Sequence, residues 1–449
     1  MPATCLPPGP RSPRAIQTLG WITRPFPFMQ RAHAKHGDMF TMRIAQEGTW
    51  VFLAHPDMVK EVFKGSPKRL HAGEANAILR PVLGSQSVLL LDEESHMSQR
   101  KLLLPPFHGD RMQRYGELMR EVTAAEIAGW APGRPLEVWP RMQAITLEII
   151  MRAVFGLREG ARLDGLRAAL DQLLHFVVRP SSMLTLAFLG PGKIGELKSF
   201  KRAMKPVDDL LLAEIRERRA EADLEGRDDI LSMLLQARHT DEGTGEDGEP
   251  MSDSELRDEL MTLLVAGHET TATSLAWAVE RLVRHPVKLA RLREEVDAGE
   301  EAYLDAVCKE VLRLRPVLPV VVRMLTEPME IGGHTLPAGV KVAPCIHLIH
   351  RREDIYPNAA AFEPERFLET PAGTYTWIPF GGGVRRCIGA TFALFEMRQV
   401  LATIVQRLDL EAPIEQSERI ARRAITLTPG SGARVVARSR VRRRSAVTA

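Results

Sequence analysis

A cysteine set between a glycine-rich loop and the start of a helix can be held as a thiolate. The run Phe380-Gly381-Gly382-Gly383-Val384-Arg385-Arg386-Cys387-Ile388-Gly389 has that form. Free N–H groups and the helix dipole at such a start stabilise a sulfur anion. Glycines at 381, 382, 383 and 389 let backbone approach a flat ligand closely. Phe380 can pack near the sulfur and keep water off it, and Arg385 can reach an anionic group at the rim. Taken alone, a cysteine after a glycine-rich turn is also an ordinary buried thiol; the complete pattern favours a ligand.

Three further groupings carry chemistry. Ala266-Gly267-His268-Glu269-Thr270-Thr271 lies inside a long apolar stretch. A threonine there can bond the carbonyl of the preceding turn and loosen the helix. Gly267 leaves room for a small ligand, and Glu269 and Thr270 can relay protons; a buried helix tolerating a polar patch has the same spacing. His96 and Arg100, four apart, share a helix face and can both bond carboxylates; a solvated pair is the alternative. Glu310 and Arg313, three apart, also share a face, as many surface pairs do. His347 and His350 read as satisfied core or surface histidines.

Several elements must position these residues. Ser252-Asp253-Ser254-Glu255 is a capping-box pattern opening a helix that runs to about Arg284, where His285-Pro286 stops it. Its length of about 48 Å requires it to cross the interior. Another helix spans about Glu301 to Leu314. Val317–Val342 reads as strands around a Gly332-Gly333 turn and includes Arg323. Ala343–Gly383 reads as mostly irregular, and a last helix runs from near Ile388 to about Leu408. Upstream, residues 1–28 are rich in Pro and Gly and are expected to wrap the surface without regular structure. Phe40–Ile44 and Trp50–Leu53 form a hairpin, and Pro56 to about Phe63 a helix. Helices dominate from Gly109 to about Leu235, with breaks at Pro132–Pro135, Gly156–Gly160, Pro180 and Gly190–Gly192. The acidic, Gly-rich stretch Thr240–Pro250 reads as an exposed loop. No internal repeat is present, and residues 1–449 read as one unit.

The net charge of +3 over 449 residues argues against a nucleic-acid binder. Six arginines between Arg434 and Arg444 make a basic tail, 434–449, expected to be solvated and flexible. Cys5, Cys308, Cys345 and Cys387 form no CxxC pair, so neither a zinc site nor a disulfide framework is indicated and a reducing cytosol fits. No run approaches the roughly 18–20 apolar residues that span a bilayer, and no signal peptide is evident.

The cysteine segment resembles the haem-binding loop of the cytochrome P450 family, F-x-x-G-x-R-x-C-x-G, at every specified position. The Glu310–Arg313 pair, Pro364-Glu365-Arg366-Phe367, the Ala266–Thr271 segment and the His96–Arg100 pair are similar to further motifs of that family, so the resemblance covers nearly the whole chain. It implies a mainly α fold with a small β region and one long central helix. It implies haem b with Cys387 as the metal ligand, flanked by Phe380, Arg385, Gly389 and Ala266, with propionates on His96, Arg100 and Arg323. Many members have Trp at the first of these positions; His is common in bacterial ones. Glu310, Arg313 and Arg366 take a structural role, and Glu269 and Thr270 the catalytic one of proton delivery.

The implied reaction is insertion of one oxygen atom from O2 into an apolar small molecule, a fatty acid, terpenoid or similar. A separate ferredoxin and an NAD(P)H-dependent reductase supply electrons. Arg386, Arg351 and Arg352 would form a positive docking patch for the ferredoxin, unless they are ordinary surface charges. Ala72–Val88, Leu263, Ala266, Pro319–Val322 and Ile425–Leu427 resemble substrate-contacting regions, with Arg80 as the one group suited to a carboxylate. Leu6-Pro7-Pro8-Gly9-Pro10-Arg11 resembles the segment that follows a membrane anchor in microsomal members. With little before it, a soluble, cytoplasmic, bacterial-type monomer without an anchor is expected. A peroxygenase or other haem-thiolate catalyst is the alternative, although peroxygenase members usually replace the Glu-Thr pair retained here. A haem sensor without activity is the remaining one.

Overall fold

Helices α1 (Arg14–Thr23) and α2 (Pro25–His36) occupy much of the stretch expected to be irregular. The prolines that suggested an absence of regular structure stand at helix starts instead. Pro13 immediately precedes α1 and Pro25 is the first residue of α2, a place where the missing N–H costs nothing. Trp21 anchors α1 by packing on Trp50 and Phe52, with ring centroids 5.6 and 5.7 Å away. The computed structural model describes residues 6–107, 111–156, 160–179, 182, 185, 190–221, 223–224, 226–240, 247–413 and 416–440. Cys5, Gly109, Pro180 and Arg442–Arg444 therefore lie outside the described residues.

The expected hairpin is β1 (Met39–Ile44) against β2 (Gly48–Leu53), followed by α3 (Pro56–Lys64). Short elements β3 (Leu70–His71), α4 (Ala72–Ala75) and α5 (Arg80–Leu83) lead to α6 (Glu93–Leu103), which carries His96 and Arg100. The helical middle comprises α7 (Arg111–Ala128), strand β4 (Pro135–Glu137), α8 (Val138–Phe155), α9 (Ala161–Val178), α10 (Pro191–Glu196), α11 (Lys198–Ala220) and α12 (Ile230–Gln236). The breaks expected at Pro132–Pro135, at Gly156–Gly160 and near Gly190 are present, whereas those at Leu197 and between Ala220 and Ile230 were not foreseen. The acidic stretch is not all loop. Its ends, as β5 (Arg238–Thr240) and β6 (Asp247–Pro250), pair antiparallel, while residues 241–246 lie outside the described set.

Helix α13 (Asp253–Val283) is the long central helix. Ser252 Oγ accepts from the Glu255 N–H while the Glu255 carboxylate accepts from the Ser252 N–H, which closes the capping box. Every residue from Thr271 to Leu282 is buried, so this half has no solvent face. It packs against α8 and against the C-terminal helix Ala390–Arg407. After it, Pro286 opens α14 (Pro286–Ala298), a helix the sequence reading passed over because it took His285-Pro286 only as a stop. Helix α15 (Ala302–Leu314) carries Glu310 and Arg313.

Strands β7 (Arg323–Leu325), β8 (Met329–Ile331), β9 (His334–Leu336) and β10 (Lys341–Pro344) follow. The main sheet has the order β1-β2-β10-β7-β3, with β10 parallel to β2 and the other pairs antiparallel. Short helices α16 (Ile346–Ile349) and α17 (Arg366–Glu369) interrupt the irregular stretch before α18 (Ala390–Arg407). The chain ends in β11 (Leu408–Glu411), the hairpin β12 (Ile420–Arg423) and β13 (Thr426–Pro429), and β14 (Arg434–Ser439).

The first part of the basic tail is thus ordered, contrary to expectation. Strand β14 lies between β11 and β4, with Val435 and Ala437 buried. Its arginines meet carboxylates: Arg434 on Glu137 at 3.2 Å, Arg438 on Glu411 at 2.7 Å, and beyond the strand Arg440 on Asp297 at 2.6 Å. The arginine count hid an alternating strand whose outward residues are the basic ones. Among the described residues, no helix is long and apolar enough to cross a membrane.

Candidate active site

The cysteine loop is pressed onto α3. A Cβ at Gly382 would stand 2.1 Å from the Phe63 ring, and one at Gly383 2.2 Å from the Phe63 carbonyl oxygen. Gly381 and Gly383 both have φ of +65°, so space and backbone conformation each require glycine. The Cys387 N–H donates to the Phe380 carbonyl at 3.0 Å. Gly389 caps α18 and its N–H donates to the Cys387 sulfur. The thiol is solvent-accessible yet desolvated, as a group lining an internal opening is. Desolvation pushes its pKa up; the Gly389 N–H, Arg100 and Arg386 pull it back. Cys308 and Cys345, by contrast, are buried and pushed up to about 12 by desolvation, which leaves them inert thiols.

Four basic side chains converge at one edge of this loop. His96 and Arg100 come from α6, Arg323 from β7 and Arg385 from the loop itself. His96 is 2% exposed and its ring has no hydrogen-bond partner among the described residues. Burial first, then Arg385, Arg100 and Arg323, lowers its pKa to about 3, so the ring is neutral. Arg323 donates only to the Val322 carbonyl, at 2.7 Å, and burial lowers it to about 10. Burial also lowers Arg100, and no described carboxylate is in ion-pair reach of Arg100 or Arg323. Arg385 does have an anion: Asp92 at 2.5 Å, together with the Leu91 and Val88 carbonyls. The expectation that Arg385 reaches an anionic group at the rim therefore has an internal answer in Asp92, which the sequence reading did not single out. Arg100 and Arg323 remain without an ion-pair partner among the described residues, which suits an anionic ligand.

In the middle of α13 the Thr270 hydroxyl donates to the Ala266 carbonyl at 2.6 Å, the predicted loosening bond. Ala266 is exposed although Leu264 and His268 beside it are buried, so an opening adjoins the helix there. Glu269 turns toward α8 and the β12–β13 hairpin. Its carboxylate accepts from Gln143 at 3.1 Å and Thr426 at 3.5 Å and lies 3.8 Å from Arg423. Desolvation raises its pKa, opposed first by Arg423. No hydrogen bond joins Glu269 to Thr270. Gln143, Arg423 and Thr426 were not legible in the sequence, because only tertiary packing brings them to Glu269.

Glu310 and Arg313 are fully buried and joined by two 2.7 Å bonds. Arg366 adds an ion pair to Glu310 at 3.3 Å, and Arg313 donates to the carbonyls of His350, Ala359 and Ala361. His350 is satisfied, facing the Arg313 carbonyl and accepting from the Ile378 N–H at 2.9 Å. His347 stacks on Phe26 and bonds Gln30 through Nε2, but its Nδ1 has no partner.

The expected arginine patch is largely dissolved. Arg351 is half-buried, donates to the Leu314 carbonyl and is lowered to about 10 by burial. Arg352 is taken by Asp38 at 2.7 Å and Asp354 at 2.9 Å. Arg386 alone is exposed without an ion pair among the described residues. Of the residues read as substrate-contacting, Leu263, Val320 and Val321 are half-buried and Ile425 and Arg80 exposed.

The family model described as Cytochrome P450 matches residues 7–435. Cytochrome P450 135B1 of Mycobacterium tuberculosis (strain ATCC 25618 / H37Rv) is 43% identical over 443 residues, covering 97% of this chain and 92% of that protein. Cytochrome P450 137 of the same strain is 37% identical over 407 residues, covering 91% and 84%. Among solved structures, the cytochrome P450DA heme domain is 26% identical with a TM-score of 0.81, covering 97% of this chain and 98% of that one. The retinoic acid bound cyanobacterial CYP120A1, at 23% identity and a TM-score of 0.84, covers 98% and 100% and shares the fold. With a thiol at a helix start, a buried cationic edge beside it and a matching family model over nearly its whole length, this chain belongs to the cytochrome P450 family of haem-thiolate monooxygenases.

Proposed function

We propose that this enzyme inserts one atom of O2 into an apolar small molecule, a fatty acid, terpenoid or similar, with electrons from NAD(P)H through a separate reductase and ferredoxin. The observation that carries this reading is the placement of the Cys387 thiol beside buried cations, Arg100 and Arg323, that no carboxylate among the described residues reaches as an ion pair. Those residues fit haem b. Cys387 would supply the metal ligand, His96, Arg100 and Arg323 would hold the propionates, and Phe380, Gly389 and Ala266 would lie beside the ring. Arg385, braced by Asp92, closes the edge. When bound, the haem supplies the oxidative chemistry.

The chain's own residues bind, orient and move protons. Thr270 holds its hydroxyl proton at the Ala266 carbonyl and can release it by rotation. Glu269, with its raised pKa, is a proton reservoir one residue away. Leu263, Val320, Val321 and Ile425 offer an apolar substrate surface that excludes water, with Arg80 available to a carboxylate. Arg80 on an otherwise apolar surface puts apolar carboxylic acids first in a substrate panel. We propose a cytoplasmic monomer.

The test combines spectra and turnover. Reduced protein with CO should show the red-shifted Soret band of thiolate ligation, and Cys387→His should abolish it; an unchanged band in the variant refutes the ligand assignment. Turnover with ferredoxin, reductase and NAD(P)H should exceed turnover with peroxide alone. The reverse would establish the peroxygenase reading.

A further inference from the structure

Asp92 stands where an aspartate is expected to cap a helix, immediately before α6, yet its side chain makes no capping bond there. Its carboxylate is engaged by two other elements. One oxygen accepts from the Gly73 N–H at 2.8 Å and the other from the Glu74 N–H at 2.9 Å. These are first-turn donors of α4, which have no partner inside that helix. The first oxygen also takes the Arg385 guanidinium at 2.5 Å. The fit is close: a Cβ at Gly73 would stand 2.3 Å from the Leu90 carbonyl oxygen and 2.8 Å from the Asp92 carboxylate. Glu93, the next residue, has φ of +50°, a conformation that a non-glycine residue rarely adopts. Its carboxylate lies 2.9 Å from His71, the residue before α4. The turn into α6 is shaped to α4 as well as to its own helix.

Arg385 ties the same carboxylate to the cysteine loop. The two side chains are 9% and 16% exposed, so solvent screens the pair weakly. Desolvation lowers the Arg385 pKa to about 10, and Asp92 opposes that shift. Arg323 also feels Asp92, without an ion pair to it. Helix α4 opens the stretch Ala72–Val88, which carries Arg80. The far end of that stretch is held to α13: the Gln86 N–H donates to Asp258 at 2.8 Å and the Val88 N–H to Glu259 at 2.7 Å. The near end is held by Asp92.

We propose that Asp92 is a positioning residue that couples the haem edge to the substrate-contacting stretch: Arg385 fixes the Asp92 carboxylate, and Asp92 fixes the start of α4. The inference rests on the haem and substrate readings above. Charged hydrogen bonds on one carboxylate support each other, because the cation holds the carboxylate ionised and in place for the two N–H donors. A purely local role for Asp92 would leave α4 indifferent to Arg385, which makes no hydrogen bond to Gly73 or Glu74.

The test is amide hydrogen exchange of the haem-loaded full chain, followed in fragments covering residues 70–76 and 84–89. Asp92→Asn removes the charge and one acceptor oxygen, so exchange in 70–76 should rise by about tenfold or more. Arg385→Gln keeps Asp92 but removes its cation, and exchange in 70–76 should rise by roughly three- to tenfold. In both variants 84–89 should stay within about twofold of the parent, because Asp258 and Glu259 are untouched. Parent-like exchange of 70–76 in Arg385→Gln overturns the inference, as does an equal rise in both fragments, which is general loosening. Arg385→Gln decides the question even if Asp92→Asn fails to fold. The CO spectrum of the parent is recorded on the same sample. Absence of the thiolate band refutes the haem reading, whereas its presence with 70–76 indifferent to Arg385 refutes the coupling alone.

Discussion

Two clusters of buried charge, both drawn from residues that precede the cysteine segment, solve the cost of burial differently. At Glu310–Arg313–Arg366 every charge has its counterpart within the chain, and the first two residues are fully buried. At Arg100 and Arg323, beside the neutral His96, the cations are desolvated and have no carboxylate in ion-pair reach among the described residues. Burying charge is costly unless it is paired and bonded. The compensated cluster is therefore scaffold, holding the irregular stretch around Ala359–Glu363 to α15. The uncompensated one retains a demand for an anion from outside the chain. The same residue type, arginine, is structural in one place and ligand-directed in the other, and only the presence of a carboxylate distinguishes them.

The largest expected effect comes from breaking the compensated cluster. Glu310→Gln leaves Arg313 buried without its counter-charge, a loss of about 3–5 kcal/mol, read by urea denaturation of the haem-loaded protein. A loss within about 1 kcal/mol would show the cluster to be redundant.

The uncompensated cluster should respond with the opposite sign. Arg100→Met with Arg323→Met removes two desolvated cations, so the haem-free protein should be at least as stable as the parent. Haem retention should fall, with transfer to excess apomyoglobin faster by roughly 10–100-fold, as expected for one or two charged hydrogen bonds. Slower unfolding of the parent apoprotein than of the variant would contradict the comparison.

Glu259 is the converse case, a fully buried carboxyl without a cation. Burial raises its pKa to about 8, while the Val88 N–H and Gln99 pull it down. Because the folded pKa lies above the unfolded value, the folded protein keeps a proton that the unfolded chain releases. Its contribution is fully present below about 4.5 and is lost as pH rises toward about 8. Glu259→Gln should flatten that decline and stabilise the protein at pH 8 by about 1–3 kcal/mol, measured by melting across pH.

The smallest effect is expected at His96. Its folded pKa of about 3 lies below the ordinary 6.5, so the unfolded state binds the proton more readily. Stability should fall as pH drops from about 6.5 toward 3. His96→Gln should flatten that acid limb while changing stability at pH 7 by less than about 1 kcal/mol. An acid limb unchanged in the variant would place the titration on another group.

Local patterns were read well. The capping box at Ser252, the end of α13 before His285-Pro286, and the glycine loop into α18 all act through neighbouring residues, and their positions agree with the structure to within a residue or two. Composition was a poorer guide. Prolines near the N-terminus were taken to preclude regular structure where they open helices, and arginines near the C-terminus concealed β14. Arg351 and Arg352 were counted as surface charge, but one is drawn to a helix carbonyl and the other to Asp38 and Asp354.

What the amino-acid sequence determined by itself was the thiol at a helix start, the long helix that carries Thr270, and the helix-face pairings of His96 with Arg100 and of Glu310 with Arg313. Each follows from helix periodicity and backbone conformation within a few residues. Only the tertiary structure decided which charges are neutralised. Asp92 comes to Arg385 across 293 positions, and Gln143 and Thr426 come to Glu269 across 126 and 157. A charge's partner depends on which surfaces the packed elements bring together, and desolvation then sets whether that charge is scaffold or site.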